Sequence, residues 1–426
     1  MQINMIKWIH DLFPIYRTIT GLGIKKTLEY FEKINPELKR IKFKSGTKVF
    51  DWQIPNEWKI EDAFIQHVKS GKKFAEFKKN NLHVIGYSTP MNTIMEKKKL
   101  MKYLYTSKKR KNAIPYVTSY YKKNSGFCIS ENQIKRLPLG KYKAYINSNL
   151  HKGHLDISHA LLKGKSKKEI LFTSYCCHPS MANNELSGPV LMNGIMKYLK
   201  KKYKKRNYSY RFILGPETIG PIAYLSKYEG TLKKNVIAGF GLSCVGDQGG
   251  FSIIKSKKEN TLADDALTAA LKDKKNFYEY SFLDRGSDER QYCSPGIDLP
   301  YVGFCRSKYG TYPEYHTSDD NLSLVSQKNF ENSLKVFVDI IDSFESGIFP
   351  KYQVKCEPQL GKRNLYPNIS KEGIYEDTKL RMNLLAYSDG HTNIFKISKL
   401  INKPLLLVLK EYKFLKKQKL LKSVFF

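Results

Sequence analysis

The spacing of apolar residues along this chain changes character three times. Residues 5–33 carry apolar positions at helical intervals, broken by the TITGLG stretch at 18–23, which predicts helix on either side of a break. From about 47 to 150 the texture turns to short β-type runs between turn residues, such as KVFDWQIP (48–55), NLHVIGYSTP (81–90), IPYVTSYY (114–121) and GKYKAYINSNL (140–150). From about 168, apolar runs alternate with amphipathic segments. EILFTSYCC (169–177), YSYRFILGPE (208–217), NVIAGFGLSCVGD (235–247) and LPYVGFC (299–305) predict buried strands. GPVLMNGIMKYLKKKY (188–203), the TIGPIAYLSKY segment and a long stretch near 327–346 predict helices. Beyond 376 come short helices and a basic, Leu-rich end.

Strands alternating with helices imply an α/β fold with a mostly parallel sheet, whose ligands gather at the carboxyl ends of the strands. The expected organisation is an α/β domain from 1–46 and 151–350, a small β-rich domain inserted at 47–150, a linker at 351–375 and a separate domain at 376–426. A length of 426 residues agrees with two or three compact units.

Hydrophobic residues make up 41% of the chain and aromatics 13%, enough for packed cores and against global disorder. Nowhere do about 18 uncharged apolar residues run together, so the expectation is no membrane insertion and a cytoplasmic location. Seven cysteines without CxxC spacing are expected as free, mostly buried thiols. The net charge of +35 admits an anionic polymer as partner. Yet lysines are scattered from end to end and interrupt apolar runs at solvent-facing intervals, which reads as a lysine-rich surface. Nucleic acid is therefore not the expected partner.

Polar residues sit where the buried strands run out: His178 after the first, Glu217 after the second, Asp247 after the third. The segments GSDERQYCSPGIDLP (286–300) and PEYHTSDDN (313–321), the latter with His316, follow. Imidazoles and carboxylates at successive strand ends can converge on one divalent ion, which would polarise a carbonyl while a carboxylate takes a proton from water. Each residue also has a duller role. Glu217 could be an acid favoured by a helix N-terminus, and Asp319 and Asp320 could cap the following turn.

The order His178, ANNELSG, Glu217, SDERQYCSPGIDLP, YHTSDD resembles the di-zinc aminopeptidase family. There the order is His, an Asp-x-x-x-Ser-Gly segment, Glu-Glu, Asp, a Ser-Asp-His stretch and His-Thr-x-x-Asp. More closely, the chain is similar to a group of aminopeptidase-like proteins associated with bacterial surface-polysaccharide biosynthesis. FPIYRTITGLGIKKTL, VFDWQIPNEW, CHPSMANNELSGP, RFILGPETIG and EPQLGKRNLYP carry that similarity, and in that group the C-terminal segment is winged-helix-like.

The resemblance implies His178 and His316 as imidazole ligands and Glu217 as general base. Thr218 stands where a second Glu would bind metal, and Asn184 where an Asp would bridge two ions. With those carboxylates gone, the expectation is one zinc on His178, Asp247 and His316, with Asn184 a weak contact or supporting group. Asp288, Glu289, Arg290 and Tyr315 would line the substrate mouth, and Arg17 would bind an anion. The implied activity is hydrolysis of an amide in a small peptide, aminoacyl or sugar-linked substrate. The alternative is a catalytically inactive binding or scaffold protein on the same fold. A homo-oligomer is compatible with either.

Overall fold

Every residue of EILFTSY is buried, as a strand covered on both faces requires. The computed structural model, which describes residues 3–366 and 375–426, places this run near the middle of an eight-stranded sheet. In chain order the strands are β1 (Lys39–Lys44), β2 (His154–Leu162), β3 (Glu169–Tyr175), β4 (Ser209–Gly215), β5 (Val236–Leu242), β6 (Phe251–Ile254), β7 (Phe277–Tyr280) and β8 (Tyr301–Cys305). Across the sheet they run β1-β2-β4-β3-β5-β8-β6-β7. The four central strands β4, β3, β5 and β8 are parallel, while β2 and β6 join antiparallel. The fold is thus α/β with a parallel centre and mixed edges.

Register in the centre is visible in the packing. Phe172 on β3 lies directly opposite Phe212 on β4 and Phe240 on β5, and its ring stacks on theirs at 5.4 and 5.5 Å. Phe337, from the helix Gln327–Ser346, meets Phe172 and Phe240 edge-on at 5.6 Å, the geometry favoured by aromatic quadrupoles. A slip of one residue would turn this ladder to the other face. The helices Ser187–Lys202 and Ile219–Asn235 follow β3 and β4 as the periodicity predicts, and the N-terminal segment forms Met5–Leu12 and Leu22–Ile34 around the expected break.

The insertion is built on a four-stranded antiparallel sheet of Lys73–Phe74, Glu57–His67, Lys141–His151 and Met91–Glu96. Two runs with strand-like composition are not strands there. NLHVIGYSTP begins as a 3-10 turn at Asn81–His83, and IPYVTSYY is an extended loop making only isolated bridges. Their backbone groups are used elsewhere. Tyr116 N donates to His316 O at 2.8 Å and Ser318 N to Ile114 O at 2.9 Å, so the second run crosses to the main domain.

At the C-terminal side, Phe349–Tyr352 pairs with Leu421–Val424 around the helices Tyr375–Ala386, Ile394–Leu400 and Leu405–Lys417, the arrangement of a winged helix. The first strand of this unit, Phe349–Tyr352, straddles the boundary expected between the α/β domain and the linker, because it pairs with the last strand of the chain. Residues 367–374 of that expected linker lie outside the described residues. Asn393 and Lys399 hold Asp265 of the main domain, at 3.1 Å each. Among the described residues, no helix is long and apolar enough to cross a membrane.

Candidate metal centre at the strand ends

Four strained backbone positions lie just after β3, β4 and β5 and in the 316 loop. Ser180, Thr218, Cys244 and His316 all have positive φ without being glycine. Thr218, at φ 63° and ψ −72°, is the middle of a γ-turn closed by Ile219 N donating to Glu217 O at 2.7 Å. That turn ends β4 abruptly and leaves the Glu217 carboxylate at the sheet edge. The segment Ala182–Leu186 forms a π-helical turn, which carries Asn183, Asn184 and Glu185, all buried, toward the same point. The following Gly188 is required, since a Cβ there would collide with the carbonyl of Leu242 and the hydroxyl of Ser174.

His178 lies 2.6 Å through Nδ1 from Glu185 Oε2, while its Nε2 stands 3.7 Å from Glu217 Oε2. Glu185 Oε1 accepts from the backbone N–H groups of Cys177 and His178. A carboxylate on Nδ1 fixes the ring's orientation and leaves the Nε2 lone pair facing the cleft. Burial disfavours the imidazolium, but Glu185 and then Glu217 outweigh it and hold the His178 pKa above its usual value. The His316 ring centroid is 5.3 Å from that of His178, and burial, then His178, push its pKa down to about 3. Neutral at pH 7, its buried Nε2 has no hydrogen-bond partner among the described residues, and neither has Asn184 Oδ1. Glu217 accepts from Ser287 Oγ at 2.6 Å, and burial, against the pull of His178, raises its pKa.

Unpaired acceptors at His316 and Asn184, an oriented His178 and a nearby Glu217 form a donor set that suits a divalent cation. Cys177, His178 and Glu185 also lie within 4.8 Å of one another. Glu185 Oε1 is occupied by two backbone donors and Oε2 lies 2.6 Å from His178 Nδ1, the position of an orienting carboxylate.

Several expected roles are not met by this geometry. Asp247 is buried and fully engaged: Oδ1 accepts from Gly249 N at 2.6 Å and Ser307 Oγ at 2.8 Å, and Oδ2 from Asn183 Nδ2 at 2.7 Å. It ties the 243–249 loop to the π-turn instead of joining His178. Asp288 and Glu289 are buried and engaged by groups of the protein itself. Asp288 accepts from Thr218 N at 2.8 Å, which supports the γ-turn, and Glu289 accepts from Gly286 N, Ser287 N and the Tyr309 hydroxyl. Arg290 is exposed, bonded to Thr218 Oγ1 and Ser287 O at 2.9 Å each, and open to solvent. Arg17 is completely buried and donates to the carbonyls of His178 and Leu12, so it braces the strand end and meets no anion from solution. Tyr315 stacks on His316 at 3.9 Å.

Three contributors carry roles beyond those read from the sequence, which gives Asp320 only as a cap of the turn that follows it. Asp320 accepts from the backbone N–H groups of Asn183 and Asn184 at 2.6 and 2.9 Å, capping the π-turn from across the chain. Tyr116, from the insertion, packs edge-on against His178 at 4.7 Å and His316 at 5.2 Å. Glu185 was visible within ANNELSG, but only the fold shows that it meets His178.

A family model described as Domain of unknown function (DUF4910) matches residues 6–347, and one described as winged helix-turn-helix matches residues 348–423. A Clostridium acetobutylicum protein named for polysaccharide biosynthesis and an aminopeptidase-like domain is 41% identical over 397 residues, 92% of this chain and 89% of its own. A crystal structure from that organism, named as that of a peptidase, superposes with a TM-score of 0.90 at 38% identity, over 99% of this chain and 96% of its own. A zinc aminopeptidase from Bacillus subtilis shares the fold at a TM-score of 0.57 and 14% identity, over 79% of this chain and 93% of its own.

Proposed function

The chain belongs to the DUF4910 family of aminopeptidase-like proteins with a C-terminal winged helix, and from this we propose that it is a zinc-dependent amide hydrolase. The observation that carries the reading is the pair of adjacent imidazoles, a buried His178 presenting Nε2 and a half-buried His316 with an unpartnered Nε2, beside a Glu217 of raised pKa. His178 and His316 would hold one zinc ion, with Asn184 Oδ1 as an additional weak contact. Bound there, zinc would supply Lewis-acid polarisation of the amide carbonyl and a lowered pKa for water.

The chain's own residues supply the proton traffic. Glu217, held by Ser287 through one oxygen, keeps the other toward the cleft to accept a proton from water and return it to the leaving amine. The γ-turn fixes that carboxylate, and Asp288 and Arg290 fix the turn. Tyr116 and Tyr315 wall the imidazoles and exclude bulk water, strengthening electrostatic interactions inside. The substrate class is a small peptide or an aminoacyl-modified sugar; the relative's name favours the sugar.

Glu217→Gln is the direct test. It should lower turnover of an aminoacyl or dipeptide amide by about 10²–10⁴-fold while zinc content stays at the wild-type level. Unchanged turnover would remove Glu217 from the chemistry. The scaffold reading draws on Asn184 and Thr218, which stand where the resembling enzymes carry carboxylates. Absence of bound zinc in protein purified with zinc present would favour it.

A further inference from the structure

We propose that the cleft between the 48–53 hairpin and the 119–123 segment of the insertion binds an acidic hexopyranose, one carrying a carboxylate or a phosphate. Asn56, Tyr87, Tyr120, Tyr121, Lys122 and Lys123 line this cleft.

Its place relative to the centre comes first. The Tyr120 hydroxyl lies 2.8 Å from that of Tyr116, whose ring touches both His178 and His316. One side chain therefore separates the cleft from the imidazoles, and a ligand seated in it would lead toward them. This placement along a substrate rests on the hydrolase reading; the binding itself does not.

The aromatic surface comes second. Tyr121 is 53% exposed and Trp52 40% exposed, and their rings meet edge-on at 5.6 Å. The two other tryptophans, Trp8 and Trp58, keep only 8% and 3% of their surface. Tyr121 lines the cleft and offers a platform for the C–H face of a pyranose, with Trp52 of the adjoining hollow braced against its edge and amide and hydroxyl groups beside it for the sugar hydroxyls.

Charge comes third and selects among sugars. Lys122 and Lys123 are exposed and enter no ion pair among the described residues. Two adjacent lysines on a plain surface would be solvated charges only. Here they line a concave wall next to the open rings, where low-dielectric surroundings strengthen attraction to an anionic substituent.

Trp52 provides the readout, since the two other tryptophans are buried. Metal-free full-length protein is titrated with a hyaluronan tetrasaccharide (carboxylate), glucose 1-phosphate (phosphate) and maltotetraose (neutral), following tryptophan emission. At least one acidic probe should give a saturable change, and maltotetraose should bind at least about tenfold more weakly. Lys122→Gln with Lys123→Gln should weaken the acidic probe at least about tenfold, at unchanged circular dichroism. Response to the tetrasaccharide alone assigns a uronic acid, and response to glucose 1-phosphate alone assigns a sugar phosphate. A flat titration with both acidic probes overturns the proposal, as does equal binding of maltotetraose or an unaffected double lysine variant. Because no metal is present, none of these results bears on the zinc reading.

Discussion

Asp247, which is buried, and His316, which is half-buried with an inaccessible Nε2, are polar residues near the strand ends, and they differ in whether their lone pairs are used. Asp247 accepts from Gly249, Ser307 and Asn183, so its charge is neutralised by donors already in the protein. His316 Nε2 and Asn184 Oδ1 accept from nothing among the described residues. An unpaired buried acceptor costs about 1–3 kcal/mol, so such atoms persist where they meet something other than the protein. Strand-end position alone does not mark a ligand; unfilled acceptors gathered around one cleft, as at His316 and Asn184, are the stronger sign.

This contrast breaks first at Asp247. Asp247→Asn should destabilise the fold by about 3 kcal/mol, because an amide N–H would face Ser307, Gly249 or Asn183 as a second donor. Chemical denaturation measures this. Asn184→Ala in metal-free protein should cost about 1–2 kcal/mol, less than Asp247→Asn, since it removes the Nδ2 bond to the Tyr175 hydroxyl but an oxygen that has no partner. Equal losses would erase the distinction between the two networks.

Orientation gives the next test. Glu185→Gln keeps the shape of the side chain but weakens its hold on His178 Nδ1, and should reduce zinc affinity about 10–100-fold in a competition titration. An unchanged affinity would mean that His178 does not need Glu185 to present Nε2.

A pH effect sharpens the picture of His316. Its folded pKa is depressed to about 3, below the ordinary histidine value near 6.5. Between these values the unfolded chain binds a proton that the folded chain does not, so stability falls as pH falls from about 6.5 toward 3. In metal-free protein, His316→Asn should remove up to about 1.4 kcal/mol per pH unit of that dependence, read as the difference between the two unfolding curves. Carboxylates with raised pKa, including Glu217 and Asp288, act in the opposite direction and remain in both proteins.

The smallest expected effect is at Tyr116. Tyr116→Phe deletes one hydroxyl contact to Tyr120 and keeps the ring against both histidines, so it should cost about 1 kcal/mol or less and leave zinc binding unchanged.

Much of the fold was legible because buried parallel strands read as continuous apolar runs: EILFTSY, YRFILG and YVGFC all lie in strands at the sheet centre. The edge was harder. KRIKFK alternates weakly and forms β1 only because β2 is there to pair with it. In the insertion, IPYVTSYY has strand composition but gives its hydrogen bonds to the 316 loop, a partner about 200 residues away that no local pattern announces. At the site, His178, Glu217 and His316 were marked by position and by resemblance. Asp247 was marked by the same position, and only its hydrogen-bond partners reveal a structural use. Arg17 looked available for an anion because burial cannot be read from its neighbours in sequence.

Zinc stoichiometry by mass spectrometry, on wild type, Asp247→Asn and the His178→Ala, His316→Ala double variant, separates the two networks most directly. Near one zinc per chain in wild type and Asp247→Asn, and near none in the double variant, is the expected result. Zinc lost from Asp247→Asn while the double variant keeps it, or no zinc in the wild type, would contradict a centre built on the two histidines.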